Sequence, residues 1–183
     1  MMTPPSQKLR TLSWPLFGAG IVLGMHMASM APRAIAQIVP DTTLAPSGNP
    51  ADQNSSVNTA ATVGGNPAIL IEGGATRSDS LFHSFQDFNV LAGERVYFDD
   101  PVGIETIFTR VTGNSTSNIL GTLGVDGAAD LILLNPNGII FGETAQLDID
   151  GSFLATTAES IDFGNGDSFS AVVPGAVPLL TVS

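Results

Sequence analysis

Residues 114–142 read NSTSNILGTLGVDGAADLILLNPNGIIFG. At the centre of this stretch, Asn135-Pro136-Asn137-Gly138 lies between two apolar runs, 131–134 and 139–141. Four residues leave no room for a helix and both flanks are β-formers, so the chain has to bend here. The residue types fit a type I turn: Asn first, Pro with its φ preset second, Gly fourth. The Asn carboxamides can bond backbone groups that a turn leaves unpaired. The stretch therefore reads as strand, tight turn, strand.

Working outward, short strands follow one another. Residues 145–150 alternate, with Leu147 and Ile149 on one face and Gln146, Asp148 and Asp150 on the other. Residues 106–111 do the same, and a period of two predicts half-buried strands. Further strand candidates are 68–71, 95–98, 117–120, 131–134, 139–141, 152–156 and 160–163, with Gly, Asn or Asp in most gaps. Residues 81–88, LFHSFQDF, are equivocal. Leu81, Phe82, Phe85 and Phe88 fit a helical spacing better than alternation, while the aromatics favour a strand. A sandwich calls for strands of about five or six residues joined by hairpin turns, and strands of three to five residues with frequent turns also suit a parallel β-helix. There is no strict repeat, so periodicity alone leaves both open.

The same residues resemble a known family, the N-terminal secretion domain of filamentous-haemagglutinin-type exoproteins, the passengers of two-partner secretion. Its NPNGI motif is matched by Asn135, Pro136, Asn137, Gly138 and Ile139. Its NSNL motif is matched in part by Thr116-Ser117-Asn118-Ile119: Ser117 and Asn118 agree, while Thr116 and Ile119 depart. The strings LFHSFQDFNV at 81–90 and GSFLATTAESIDF at 151–163 extend the likeness over about 67–183. The resemblance implies an all-β fold, a right-handed single-stranded parallel β-helix with N-terminal capping strands from 37–75. It turns the equivocal 81–88 towards a strand. Coils of about 20–25 residues would give roughly five coils between 67 and 183. It also implies a secretion-motif role for Ser117, Asn118, Ile119 and 135–139. The partner would be an outer-membrane β-barrel transporter whose periplasmic POTRA domains recognise the chain by strand addition. Adhesion to a host or surface glycan or protein target is usual for such passengers.

Composition bounds the alternatives. Of the 183 residues, 43% are hydrophobic and 13% charged, enough to bury a core. A formal net charge of −11 with six Lys and Arg leaves no basic surface to track phosphates, so nucleic acid is excluded as a partner. The absence of cysteine excludes disulfides and thiolate metal sites.

Residues 1–36 read as a signal peptide. Lys8 and Arg10 precede an uncharged apolar stretch, and Ala34-Ile35-Ala36 forms a cleavage site with the cut before Gln37. This calls for the Sec export machinery, passage through the periplasm, and a secreted or surface-associated product. Cleavage leaves Arg77, Arg95 and Arg110 against all 17 acids, a net charge of −14. Residues 37–66 are rich in Pro, Ser, Thr, Asn and Gly and read as a poorly ordered linker or cap with at most short strands. The resemblance makes residues 67–183 the secretion domain. Its last six residues, PLLTVS, are apolar and read as a chain stopped mid-solenoid.

Catalytic equipment is sparse. His83 is the one histidine after the leader, inside an aromatic run that suits packing. There is no G-x-S-x-G elbow and no thiol nucleophile. Asp99-Asp100 with Glu105, and Asp148 and Asp150 with Asp162, could gather on one face, as carboxylates do in β-helix polysaccharide enzymes. Their alternation with apolar residues reads instead as a solvated outer face. No cofactor or metal is expected. The alternative function is a small β-helix polysaccharide-processing or carbohydrate-binding protein.

Overall fold

The computed structural model describes residues 38–45, 49–164 and 166–177. The leader at 1–36, the cleavage residues Ala34, Ala36 and Gln37, and the apolar end at 178–183 lie outside the described residues. Among the described residues there are fifteen strands and no helix. In chain order they are β1 (Val39–Pro40), β2 (Ser55–Val63), β3 (Asn66–Gly73), β4 (Ala75–Arg77), β5 (Ser80–Asp87), β6 (Arg95–Asp99), β7 (Thr106–Val111) and β8 (Ser117–Ile119). There follow β9 (Thr122–Asp126), β10 (Asp130–Leu134), β11 (Ile139–Phe141), β12 (Gln146–Asp148), β13 (Phe153–Thr156), β14 (Ser160–Asp162) and β15 (Ser168–Ser170).

The strands stack into three parallel faces. Face A is β5, β7, β10 and β13, with Leu81, Ile107, Leu131 and Phe153 in register. Face B is β3, β6, β9 and β12, with Ile69, Val96, Leu123 and Leu147 in register. Face C is Val90, β8 and β11, with Val90, Ile119 and Phe141 in register. Each pass of the chain visits B, then A, then C, so the domain is a parallel β-helix of about four turns. Five coils were expected. The first passes are longer than 20–25 residues, and the chain beyond β13 leaves the winding for the antiparallel hairpin β14–β15.

Alternation sends one set of side chains inward from all three faces. Ile71, Leu81, Phe85, Phe98, Ile107, Leu123 and Leu131 are at most 2% exposed and form one interior cluster. Burial of each such side chain contributes about 1.5–3 kcal/mol. A second cluster lies on the outer side of face A. There Phe82 stacks on Phe108 at 5.0 Å, and Phe163 and Phe169 from the hairpin pack edge-on against the pair with Leu44 and Val177. Strands β5 and β7 are therefore buried on both sides, not half-buried as alternation suggested. This also explains why 81–88 shows no clean period of two: Leu81, His83 and Phe85 point in while Phe82 packs outside.

Residues 37–66, expected to be poorly ordered, contain the nine-residue strand β2. It pairs antiparallel with β3, while β1 and β4 pair antiparallel with β5, so the upper edges of faces A and B are capped. Polar side chains that look like linker on paper are here one exposed side of a strand whose backbone is bonded.

Two buried arginines close the outer side of face A. Arg77 makes a two-pronged bond to Asp52, at 2.7 Å on each oxygen, and a third bond to the Val177 carbonyl. Arg110, 2% exposed, donates to Ser84 Oγ, Thr43 Oγ1 and the carbonyls of Ser170 and Gly175, and its guanidinium lies 4.4 Å over the Phe169 ring. Burial pulls its pKa from 12.5 to about 10, opposed by the nearby Asp41 charge, so it stays charged at neutral pH. Asp41 is desolvated too, but bonds from Thr43, Thr112 and Ser84 outweigh that and hold its carboxyl below the ordinary value.

Candidate functional site

Residues 135–138 are the corner where the third pass leaves face A for face C. Gly138 N–H donates to the Asn135 carbonyl at 3.1 Å, which closes the four-residue turn. Pro136 and Asn137 have negative φ, and Gly138 has φ +111°. This is the pattern of the expected type I turn, with the left-handed residue after it. A Cβ on Gly138 would meet nothing closer than Thr116 Cγ2 at 3.4 Å, so the cost of a side chain is mainly one of backbone strain. Gly138→Val is therefore expected to lower stability by about 1–3 kcal/mol. Thermal melting would check this: an unchanged midpoint would show that the backbone relaxes freely here.

Asn135 is fully buried. Its Nδ2 donates to the Ser115 carbonyl at 3.0 Å and to Ser117 Oγ at 2.9 Å, and its Oδ1 accepts from Asn137 N–H at 2.9 Å. Ser117 and Ser115 belong to the pass above, so one carboxamide joins two successive corners. Asn137 is exposed on its outer side, yet its Nδ2 reaches up to the Gly113 carbonyl at 2.8 Å. Thr116 Oγ1 returns a bond to the Asn137 carbonyl, and Ser117 N–H donates to the Gly138 carbonyl. One pass higher, Asn89 Oδ1 accepts from both the backbone and the side chain of Asn118.

All the motif residues thus gather at one edge of the solenoid, on consecutive floors. Ser117 is 1% exposed and Ile119 fully buried in the core, Ile139 packs against that core, and Pro136, Gly138 and Asn118 are half-buried. Asn89 and Gly113 belong to the same network and were not singled out from sequence, while Thr116, noted there only as a departure from the motif, takes part through its bond to the Asn137 carbonyl. Gly113 has a detectable reason: a side chain there would run into the Gln86 carbonyl oxygen. The Asn89–Asn118 pair becomes visible only once the coil offset is known.

Residues 113–119 and 135–139 carry no charged side chain. The corner offers neutral amide and hydroxyl groups, suited to holding backbone and unsuited to proton transfer at neutral pH. His83 lies elsewhere, fully buried in the interior beside Phe85 and Phe98. Ser55 Oγ accepts from Ser84 N–H and sits 3.0 Å from His83 Nδ1, to which it can give its own proton. Burial drives the His83 pKa from 6.5 to about 3, so the ring is neutral. Asp148 is exposed and accepts from Tyr97 O–H. Among the described residues, no three His, Cys, Asp or Glu side chains gather where a metal could sit.

A parallel β-helix with N-terminal capping strands is a fold found in secretion domains, and comparison places the chain among them. The family model for the TPS (two-partner secretion) secretion domain matches residues 37–183, and the chain belongs to that family. Its family is thus one of secretion domains and not of enzymes. Over 90 residues it is 32% identical to the heme/hemopexin-binding protein of Haemophilus influenzae (strain ATCC 51907 / DSM 11121 / KW20 / Rd), a match covering 47% of this chain and 10% of that protein. The chain therefore spans about a tenth of that relative's length. The crystal structure of a filamentous hemagglutinin secretion domain matches with a TM-score of 0.50 and 26% identity, over 72% of this chain and 45% of the other. The chain thus carries a secretion domain of the two-partner type.

Proposed function

We propose that the chain is exported by the Sec machinery, cut before Gln37, and handed in the periplasm to the POTRA domains of its outer-membrane β-barrel transporter. In this reading the corner formed by Ser117, Asn118, Ile119 and residues 135–139 sets the geometry that the transporter recognises. The observation that supports it is the Asn135 carboxamide, which is fully buried and ties the two motif stretches into one unit. Adhesion to a glycan or protein target belongs to the exoprotein as a whole. The export step is checked by N-terminal sequencing of secreted protein: Gln37 is expected first, and Met1 retained in a membrane fraction would overturn it.

The two asparagines separate architecture from recognition. Asn135→Ala takes the donor from the buried Ser117 Oγ, at about 1–3 kcal/mol, while the Ser115 carbonyl and Asn137 N–H, on exposed residues, can turn to water. Asn137→Ala removes an exposed side chain's bond to Gly113, worth about 0.5–1.5 kcal/mol. The expected result is that Asn135→Ala melts markedly lower, whereas Asn137→Ala keeps its circular dichroism and loses secretion and binding to isolated POTRA domains. If Asn137→Ala is secreted and bound like the parent, the corner is architectural only.

A further inference from the structure

The residue types that build the corner also make it chemically reactive. Asparagine is among the thermolabile side chains. When glycine follows it, no side chain hinders the glycine nitrogen from attacking the asparagine carboxamide. The sequence holds two such pairs, Asn137-Gly138 and Asn165-Gly166. Residue 165 lies outside the described residues. At 138 the turn itself demands glycine, because φ there is +111°. The geometry of the corner and the reactivity of the pair therefore come from the same residue.

Folding restrains every atom this reaction needs. The peptide unit between Asn137 and Gly138 is clamped at both ends. Thr116 Oγ1 donates to its carbonyl at 2.9 Å, and its N–H donates to the Asn135 carbonyl at 3.1 Å. The carboxamide is held away from it, with Nδ2 donating to the Gly113 carbonyl at 2.8 Å and to Asn135 Oδ1 at 3.4 Å. Before the Gly138 nitrogen can reach Asn137 Cγ, the carboxamide has to leave Gly113 and the amide has to give up a proton now directed at Asn135. Residues 113–119 and 135–139 contain no charged side chain to take that proton. Asn137 is nevertheless exposed, so water is at hand. The protection comes from hydrogen bonds and not from dryness.

We propose that Asn137 is a modification site gated by folding: it deamidates to aspartate and isoaspartate while the chain is unfolded, and the folded corner holds the reaction back. The Gly138 nitrogen loses its proton to solvent and its electron pair forms a bond to Asn137 Cγ. The Cγ–Nδ2 bond breaks, and ammonia leaves with a proton taken from solvent. Water then adds to either carbonyl of the succinimide ring. Opening at Cγ leaves aspartate, and opening at the backbone carbonyl carbon leaves isoaspartate. In sum one water enters, one ammonia departs, and nothing is oxidised or reduced. Either product sets an acceptor where Nδ2 donated to the Gly113 carbonyl. Isoaspartate also routes the backbone through Cβ, and the longer turn no longer delivers Ile139 in register with Ser117. A chain kept unfolded thus loses the means to build its corner. This holds whether or not a transporter reads that corner.

The test follows the peptide containing residue 137 by mass spectrometry while the exported chain is kept in mildly alkaline buffer, with and without urea. In urea the Asn165-Gly166 pair is the internal reference, and the two pairs are expected to react at similar rates. Without urea, reaction at 137 should be at least about tenfold slower, because it waits for local opening. Thr116→Ala removes one clamp. It should keep the parental circular dichroism and react several-fold faster at 137 in the absence of urea. After ageing in urea and dilution, the protein that regains the parental melt should carry intact Asn137, and isoaspartate should collect in the fraction that does not. No reaction at 137 in urea, or equal rates with and without it, overturns the proposal. A folded Thr116→Ala that reacts no faster than the parent overturns the clamp as the source of protection. Isoaspartate found equally in the refolded and unfolded fractions overturns its effect on folding.

Discussion

Arg77→Met is expected to lower the unfolding free energy by about 3–5 kcal/mol, because it strands the Asp52 carboxylate in the interior. The side chains of the pair are 5% and 1% exposed, and Arg77 meets both carboxylate oxygens at 2.7 Å. Water cannot take over the charge that remains, and the Val177 carbonyl loses its donor as well. For a domain whose whole stability is about 5–15 kcal/mol, this is a large share. Urea unfolding measures it directly. The double variant Arg77→Met with Asp52→Leu removes both charges and should recover most of the loss. Arg95→Ala provides the contrast: that side chain is half-buried and lies over Tyr97, so its loss should cost about 1 kcal/mol or less. A change below about 1 kcal/mol for Arg77→Met would mean that solvent reaches the pair.

The second large effect depends on pH. The folded state holds His83 neutral down to about pH 3, whereas the unfolded chain protonates it near 6.5. Between those values the unfolded state binds the extra proton, so stability falls as the pH falls. Each pH unit below about 6.5 should cost up to about 1.4 kcal/mol from this one ring. Between pH 6.5 and 4.5 the parent should therefore lose about 2–3 kcal/mol. His83→Gln, neutral throughout and able to bond Ser55, should show a much flatter profile. The two half-buried carboxylates with shifted values do not mimic this trend. Asp41 lies below its ordinary value and loses its contribution only at more acid pH. Asp99 is raised by burial and then by the charges of Glu72, Asp126 and Asp100, so acid relieves it. Chemical denaturation across pH 4.5–7.5 decides the point, and equal slopes for parent and variant would show that His83 takes up a proton without unfolding.

The turn at 135–138 was legible in the sequence because its four residue types each answer a local demand, and the structure returns it bond for bond. The strands at 106–111 and 139–141 were legible too, since β-formers run uninterrupted there. Strand β9 was not, because Gly121, Gly124 and Gly127 look like punctuation. Gly124 is in fact the place where the Tyr97 ring fills the space a side chain would need, a reason that exists only between coils. A cap of short strands was expected before residue 75, but the nine-residue length of β2 was not legible, because its polar residues are those of a linker and only the partner β3 orders them. At the site, the turn-forming Asn and Gly residues could be read, whereas Asn89 and Gly113 act across the stacking direction. Chain periodicity does not reach that far when successive coils differ in length.

The two buried arginines also set an order of events. Arg77 bonds a carbonyl 100 residues further along, and Arg110 bonds Thr43, 67 residues before it, and Gly175, 65 residues after it. When a chain is delivered from its N-terminus, winding can begin with the first stacked passes, each needing only its neighbour. The outer wall cannot shut until the final segment arrives, and until then two guanidinium groups wait without their last partners. A domain delivered in that order would stay an unlatched coil until residues 170–177 arrive, and only then gain its full resistance to unfolding.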